Sequence, residues 1–505
     1  MTPATQFATA PRGVASLPGR MAAATLLFVS VGMFVSALVD AGAGGDDVVS
    51  IAGAAMVCGV VGGLLWRLTH APSRISTTSV FRAVTTTWLV AACAGALPYL
   101  LSGTFPVPDD ALFESVSGFT GTGSTVLTPI EGSGRGILFW RGLTQWYGGM
   151  GMVVLAVAVL PFLGVDGLDL VSAEAPGPTS DRLAPRVRET AKRLWLVYLL
   201  FSVLSVTVLL AVGLSLYDAV VHMFTTVSTG GLSPYDASIG HFDSALVEMA
   251  FVVLMLIGGI NFTLHWAVLS GRPGTYLRSS QLRYYLGLFA LTVAALWVLL
   301  WSDGFTAGGA LRDALFNSAT LITSTGYGTV DFVQWIPAAQ LVLLLLMFTG
   351  GMAGSTAGGL KIIRFQASLV HIRRELRRVA HPRAVLPMKL GGRAVDDPVA
   401  DRIVGFVLLY VIFIISGTVV LAMLGTDLVT SGTSIVSMMG NMGPGLGESG
   451  PASNFLVFGR PARAVLMFFM LAGRLEMFPI LLGMFSLVTR VRHPLRRTRA
   501  RVMAR

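Results

Sequence analysis

The chain has two cysteines in 505 residues, Cys58 and Cys93, and each falls inside an apolar run. That excludes a disulfide framework and a thiolate metal site. Charge is scarce as well: Asp, Glu, Lys and Arg together make up 12% of the sequence. There is no Walker A sequence, nucleophile elbow or zinc-helix motif, so the usual machinery of ATP hydrolysis and of hydrolytic enzymes is missing and an enzyme is not expected. The run Gly443-Pro444-Gly445-Leu446-Gly447 follows no strand pattern and is not a dinucleotide fingerprint. His222 and His265 have no His, Cys or carboxylate at metal-ligand spacing, and they read as packing or hydrogen-bonding residues. Residues 1–20 lack a cleavable signal pattern, so the apolar run after Arg20 reads as a first transmembrane helix.

What fills the space is apolar. Hydrophobic residues make up 54% of the chain and mean hydropathy is +0.73, far outside the soluble range. Runs of about 20 apolar residues, the length that spans a bilayer as helix, recur from end to end. The formal charge of +10 is placed against nucleic-acid binding. Basic residues gather in alternate loops: Arg67, Arg74 and Arg82, then Arg182 to Arg193, then Arg272 to Arg283, then Arg373 to Arg383, then the tail from Arg490. The loops between them are mainly acidic, with Asp40, Asp46 and Asp47, then Asp109, Asp110 and Glu114, then Asp218, Asp236 and Asp243. This positive-inside asymmetry predicts basic loops and both termini in the cytoplasm of a multi-pass membrane protein. The acidic loops then face outward and raise the local cation concentration.

Four times, a polar Gly-centred turn sits between a short apolar run and a long one: Thr122-Gly123-Ser124, Thr229-Gly230-Gly231, Thr325-Gly326-Tyr327 and Met442-Gly443-Pro444. Two helices come first, over about 21–40 and 47–66. Each later module is a helix, a short run, a turn and a helix: 81–102, 109–120 and 136–163; 194–214, 217–228 and 244–270; 284–302, 309–323 and 333 onward; 403–424, 428–440 and 461–489. The division is 1–78 for the leading pair, 79–170, 171–275, 276–395 and 396–490 for four modules, and 491–505 for a basic tail. Two helices plus four modules of two predicts ten crossings, the parity that the charge alternation demands. The fold class is therefore an all-α membrane protein with four pseudo-repeated helix–pore loop–helix modules around a central pore.

One such turn is an ordinary surface turn. Four, each behind a run too short to cross, point to irregular backbone at membrane depth, which survives only where it lines a cavity. Glycine suits an extended filter because it adopts left-handed angles without steric cost. A ring of carbonyl oxygens there replaces a cation's hydration shell. The candidate cation-binding residues are Thr122, Gly123, Thr229, Gly230, Thr325, Gly326, Met442 and Gly443. Glu114, Asp331 and Glu448 lie beside the turns and are expected to brace them. Arg474 lies mid-way along the last apolar run, where an ionisable side chain is costly and functional by default. It is expected to project into the pore below the filter; snorkelling or pairing with a carboxylate on a neighbouring helix is the other reading. Gly350, Gly354 and Gly358 fit a small-residue packing face or a helix break at Gly354-Ser355-Thr356-Ala357-Gly358 that obstructs the pore, with Lys361 and Arg364 following at once.

The motifs as a set resemble the Trk/Ktr/HKT superfamily of potassium transporters, and within it the TrkH-type membrane subunits. They are Phe113-Glu114-Ser115, Ser117-Gly118-Phe119, Trp140-Arg141 and Gln145-Trp146-Tyr147-Gly148-Gly149-Met150-Gly151; His222-Met223-Phe224 and Gly258-Gly259-Ile260-Asn261-Phe262; Thr325-Gly326-Tyr327-Gly328 with Asp331, and Gly350-Gly351; Asn441-Met442-Gly443-Pro444 and Gly473-Arg474-Leu475-Glu476; and the linker Ala173 to Pro178. The resemblance covers about 21–490, and the two leading helices favour the TrkH branch. Gly121, Leu232 and Met442 depart from the usual pattern. The resemblance implies K⁺ uptake across a cell inner membrane, since Na⁺-carrying branches tend to have Ser at the first filter glycine. It implies a gate made by Gly354, Ser355, Thr356, Ala357, Gly358, Lys361 and Arg474. It also implies a homodimeric membrane part and a ring of cytoplasmic nucleotide-binding regulatory subunits of TrkA type, with no cofactor in this chain. A Na⁺/K⁺-permeable or ion-coupled secondary cation transporter is the alternative.

Overall fold

The computed structural model describes residues 14–70, 72, 77–158, 183–384, 386–391 and 393–477. The linker at 173–178, the end of the last predicted helix and the basic tail lie outside the described residues.

Helices α1 (Leu17–Gly42) and α2 (Val48–Leu68) form the leading pair. Ser16 caps α1, its hydroxyl accepting the Gly19 N–H at 3.2 Å. One end of the pair is tied by a short parallel bridge between β1 (Val14–Ala15) and β2 (Thr69–His70). At the other end Asp40 is fully buried and accepts the N–H groups of Asp47 (2.9 Å) and Gly136 (2.8 Å). Those two bonds fix the pair against the first module and satisfy a carboxylate that burial alone would penalise.

The first module contains α3 (Thr77–Gly95), the short α4 (Leu97–Leu101), α5 (Pro108–Thr120) and α6 (Arg135–Ala158). The second has α7 (Leu183–Ala211), α8 (Leu216–Val227), α9 (Ala245–Gly258) and α10 (Phe262–Leu269). A single turn, α11 (Gly274–Arg278), leads to α12 (Ser280–Ser302), α13 (Ala307–Ile322), α14 (Pro337–Met347) and α15 (Ile362–Ala380). An antiparallel hairpin, β3 (Met388–Leu390) with β4 (Arg393–Val395), precedes α16 (Asp397–Met423), α17 (Leu428–Gly440) and α18 (Arg460–Arg474).

The helix that precedes each of the four turns is too short to cross a bilayer: α5, α8, α13 and α17 have 13, 12, 16 and 13 residues. Their starts are capped. Ser215 accepts from Asp218 N–H, Thr306 from Gly309 N–H, and Asp427 from both Val429 and Thr430. Pro108 occupies the first turn of α5.

Among the described residues six helices are long and apolar enough to cross a membrane, or seven with the bent pair α9–α10. The expected ten crossings are not ten straight rods, and the difference lies in the second helix of each module. Helix α9 turns by 95° into α10 at Gly259-Ile260-Asn261. Helix α14 stops after 11 residues. Helix α18 has 15 residues, and the chain beyond it enters a left-handed turn at Glu476 and Met477. Hydropathy continues across these breaks, so a window of apolar residues reads through them.

An apolar core runs through the fold, buried polar groups gather on the short helices and their turns, and the long helices also present apolar side chains outward. From Phe113 to Thr120 every side chain of α5 is buried, Glu114, Ser115, Ser117 and Thr120 included. Large apolar side chains instead face outward on the long helices, such as Val203 and Leu204 of α7, Leu291 and Val298 of α12, and Ile412 and Ile415 of α16. In lipid no hydrophobic force drives these groups inward, while every buried polar group must find a partner.

Candidate functional site

All four short helices end in the same way. One or two residues past the helix the backbone turns left-handed, at Gly121 (φ +64°), Thr229 (+52°), Ser324 (+54°) and Asn441 (+50°). The N–H of that residue bonds the carbonyl three residues back: Gly118, Thr226, Leu321 and Met438. The next N–H, of Thr122, Gly230, Thr325 or Met442, bonds the carbonyl five back: Ser117, Thr225, Thr320 and Ser437, at 2.8–3.1 Å. This is the Schellman closure, four times over. It aims the negative ends of four helix dipoles at the turns, an arrangement that favours a cation there.

The turns then meet. The third residue of each is again left-handed: Gly123 (φ +83°), Gly231 (+77°), Gly326 (+84°) and Gly443 (+93°). A Cβ added to Gly123 would lie 2.2 Å from the Gly230 carbonyl oxygen. One on Gly231 would lie 1.9 Å from that of Thr325, and one on Gly326 1.8 Å from that of Met442. One on Gly443 would lie 3.0 Å from that of Thr122, which closes the circle. The four segments thus touch in cyclic order, each with its α-carbon against the preceding carbonyl of the next. Glycine is required both by the backbone angle and by the approach.

This geometry corrects the register of the second repeat. The counterpart of Gly123, Gly326 and Gly443 is Gly231, and Gly230 corresponds to Thr122, Thr325 and Met442. Only one of the four helix-closing residues is glycine, and the other three use their side chains, Thr229 Oγ1 donating to the Ser228 carbonyl at 2.7 Å. Ser324 Oγ accepts the Gly358 N–H at 2.5 Å. Asn441 Nδ2 donates to Thr122 Oγ1 (3.0 Å) and to the Met470 carbonyl (2.9 Å). A non-glycine in this region costs about 1–2 kcal/mol, which such contacts offset.

The strands are held from behind by unlike chemistry. Glu114 accepts the Val126 N–H and the Thr125 hydroxyl at 3.0 Å, and pairs with Arg141 Nε at 2.5 Å. Arg141 Nη1 reaches the Ser233 carbonyl at 2.6 Å. One turn along α6, the Gln145 amide donates to the Gly230 carbonyl (2.7 Å) and accepts the Leu232 N–H (3.1 Å). In the third repeat Thr320 Oγ1 holds the Tyr327 carbonyl at 3.1 Å, and the Tyr327 hydroxyl meets Thr225 and Thr226. In the fourth, Ser437 Oγ holds the Gly443 carbonyl at 2.9 Å and Thr433 brackets Leu446. Asp331 caps its own turn through the Val333 N–H, while Glu448 contributes its backbone N–H, to Thr430 Oγ1. His222 bridges the Asp218 carbonyl and Ser233 Oγ, and His265 the Ile257 carbonyl and the Tyr276 hydroxyl, both as hydrogen-bonding residues.

Beneath the ring, residues 348–361 form the break between α14 and α15, with left-handed turns at Gly350, Gly354, Gly359 and Lys361. Of the two sequence readings of the glycine triplet, the chain takes the break. Thr356 Oγ1 donates to the Val227 carbonyl at the end of α8 (3.0 Å), and the Gly358 N–H to Ser324 beyond α13. A Cβ on Gly358 would lie 2.0 Å from the Gly440 carbonyl oxygen, at the end of α17. The fourth position belongs to Arg474: its Nη2 lies 3.5 Å from a Cβ built on Gly121, and its Nη1 donates to the Thr356 carbonyl at 3.0 Å. The loop and one guanidinium therefore abut the ends of all four short helices. Lys361 Nζ folds back onto the Ala357 carbonyl. Glu476 pairs not with Arg474 but with Arg364, at 2.5 Å. Arg474 is 1% exposed and makes no ion pair among the described residues. A buried cation left uncompensated is strongly unfavourable, so the site is electrostatically loaded.

The sequence reading missed three kinds of residue here. Gly121, Ser324 and Asn441, as helix closures, carried a signal in their place one before each turn. Gln145 stands out in the sequence only as part of a motif, and the Arg364–Glu476 pair, 112 residues apart, has no local signal.

Known proteins resemble this chain along most of its length. The TrkH family, described as a cation transport protein, matches residues 48–489. The Trk system potassium uptake protein TrkH of Salmonella typhimurium is 38% identical over 83% of this chain and 87% of its own length. That of Escherichia coli is 39% identical over 79% and 84%. The crystal structure of the potassium transporter TrkH from Vibrio parahaemolyticus superposes with a TM-score of 0.85, covering 92% of this chain and 97% of that one at 34% identity. Four Schellman-closed half-helices around one ring, broken inner helices and these likenesses agree, and the chain belongs to the TrkH family of cation transport proteins.

Proposed function

We propose that this chain takes up K⁺ across a cell inner membrane, through the ring formed by Thr122-Gly123, Gly230-Gly231, Thr325-Gly326 and Met442-Gly443, with Thr229 closing the helix below the second of these. The observation that carries the reading is the cyclic contact of the four turns at the negative ends of four half-helices. Backbone carbonyls at such a ring replace hydration water, and K⁺ sheds its water more cheaply than Na⁺. The names of the relatives, potassium uptake proteins, support the choice of ion.

The segment Gly354, Ser355, Thr356, Ala357 and Gly358, with Lys361 and Arg474, is the gate in this reading: it lies under the ring and puts a fixed positive charge on the path. The buried glutamates favour conduction over ion coupling, because Glu114, Glu248 and Glu476 are each paired with an arginine. The basic loops, with both termini, face the cytoplasm and receive regulatory subunits of the TrkA, nucleotide-binding type, and the membrane part works as a homodimer. Purified protein in liposomes tests the core of this. ⁸⁶Rb⁺ uptake driven by an internal-negative potential is expected, suppressed by external K⁺ and spared by equal Na⁺. Equal suppression by both ions, or none by either, overturns it.

A further inference from the structure

The ring has one quadrant unlike the rest. At the level of its second residue, the carbonyls of Thr122, Thr325 and Met442 accept no hydrogen bond among the described residues, whereas that of Gly230 accepts one from Gln145. The source of the difference lies on the inner helices. The second helix of each module (α6, α9, α14 and α18) carries, within it or just past its end, a pair beginning with glycine: Gly148-Gly149, Gly258-Gly259, Gly350-Gly351 and Gly473-Arg474. The first two pairs correspond in space as well, since Tyr198 donates to the Trp146 carbonyl and Tyr285 to that of Leu256, two residues before each pair. Three residues before the pairs stand Gln145, Met255, Met347 and Met470, all fully buried. One amide replaces what is otherwise methionine.

The room for that amide comes from Gly230. A Cβ on Gly230 would lie 2.4 Å from the Gln145 side-chain carbon, so the side chains that Thr122, Thr325 and Met442 carry cannot be carried there. The orientation of the amide is not free either: the Leu232 N–H requires the oxygen on its side and leaves the NH₂ for Gly230. Gln145 thus grips the backbone on both sides of Gly231, the left-handed glycine of the ring.

We propose that Gln145 is a positioning residue for ion selectivity, anchoring the Gly230 carbonyl so that this side of the ring cannot close around a cation smaller than K⁺. This rests on the reading of the ring as the ion site. A carbonyl already engaged from behind is a stiffer ligand, and collapse onto Na⁺ requires it to break the bond to Gln145. Three oxygens without a hydrogen-bonded tether and one tethered oxygen set the size of the site.

The test is competitive ⁸⁶Rb⁺ uptake by the whole protein in liposomes, with K⁺ or Na⁺ as competitor. Gln145→Met copies the other three quadrants, and Gln145→Glu keeps the length and the acceptor for Leu232 while removing the donor. Both variants are expected to lose about tenfold in the preference for K⁺ over Na⁺, the factor one hydrogen bond supplies. Half-saturation by Rb⁺ should rise while the maximal rate changes less. Should Gln145→Met not give a monodisperse protein, the glutamate variant decides alone. Gly443→Ser is the control, a substitution in the ring itself. If Gly443→Ser alters ion preference and the Gln145 variants do not, this inference fails and the ring stands. If none of the three alters it, the reading of the ring as the ion site fails.

Discussion

The ring and the layer beneath it follow opposite rules. Above, four turns repeat one backbone conformation, and each left-handed glycine touches the next turn in the same way. Below, the same four helix ends meet four different groups: the Arg474 guanidinium, the Thr356 hydroxyl, the Gly358 N–H and the Gly358 α-carbon. A dehydrated spherical ion is served by near-symmetry. The obstruction of the proposed reading needs no symmetry, only contacts that one displacement can break together. The upper layer is therefore expected to be rigid and intolerant, and the lower one adjustable.

The sharpest way to break the comparison is at the ring's tightest joint. Gly326→Ala places a methyl group 1.8 Å from the Met442 carbonyl oxygen at φ +84°, and Gly443→Ala places one 3.0 Å from that of Thr122. The first should cost roughly 3 kcal/mol or more and abolish Rb⁺ uptake. The second should cost about 1–2 kcal/mol and leave measurable uptake. Thermal unfolding of the detergent-solubilised protein and liposome flux give both numbers. Equal effects would mean that the four joints are interchangeable, contrary to their unequal approaches in the structure.

Repetition also decides what could be read from the sequence. The four polar turns, the short helices before them and the outward apolar faces are local and recur, so composition and spacing reveal them. The second repeat was misaligned by one residue because Gly230 and Gly231 are adjacent and serve different ends: Gly231 supplies the left-handed angle, and Gly230 makes room for Gln145. Apolar windows over 244–270 and 461–489 hid their breaks, since Ile260 and Phe262 are as apolar in a bend as in a helix. Contacts made once, such as Arg474 to Thr356 across 118 residues or Gln145 to Gly230 across 85, leave no periodic trace. The asymmetric layer was therefore the less legible one.

The next comparison is between charge and shape in that layer. Arg474→Gln keeps a polar, hydrogen-bonding stem and removes the buried charge. If the charge sets the barrier, basal Rb⁺ flux without any regulatory partner should rise roughly tenfold, the effect of about 1.4 kcal/mol on a barrier. Deleting residues 354–358 removes shape as well and should leak more. A tight, folded deletion protein would mean that the segment packs the helices together and blocks nothing.

The smallest expected effect separates the two layers at a single atom. Ser324 closes α13 in a left-handed conformation, and its hydroxyl holds the Gly358 N–H. Ser324→Gly relieves about 1 kcal/mol of backbone strain and loses a hydrogen bond of about the same worth, so the unfolding temperature should barely move. The tie between ring and loop is nevertheless gone. Basal leak should rise about two- to threefold, the counterpart of about 0.5 kcal/mol in barrier, with K⁺ preference over Na⁺ unchanged. A leak without lost stability or lost selectivity can arise only if the helix end serves both layers through separate atoms: backbone for the ring, hydroxyl for the loop. A change in ion preference would instead couple the layers through Ser324, and the distinction between a rigid ring and an adjustable base would no longer hold.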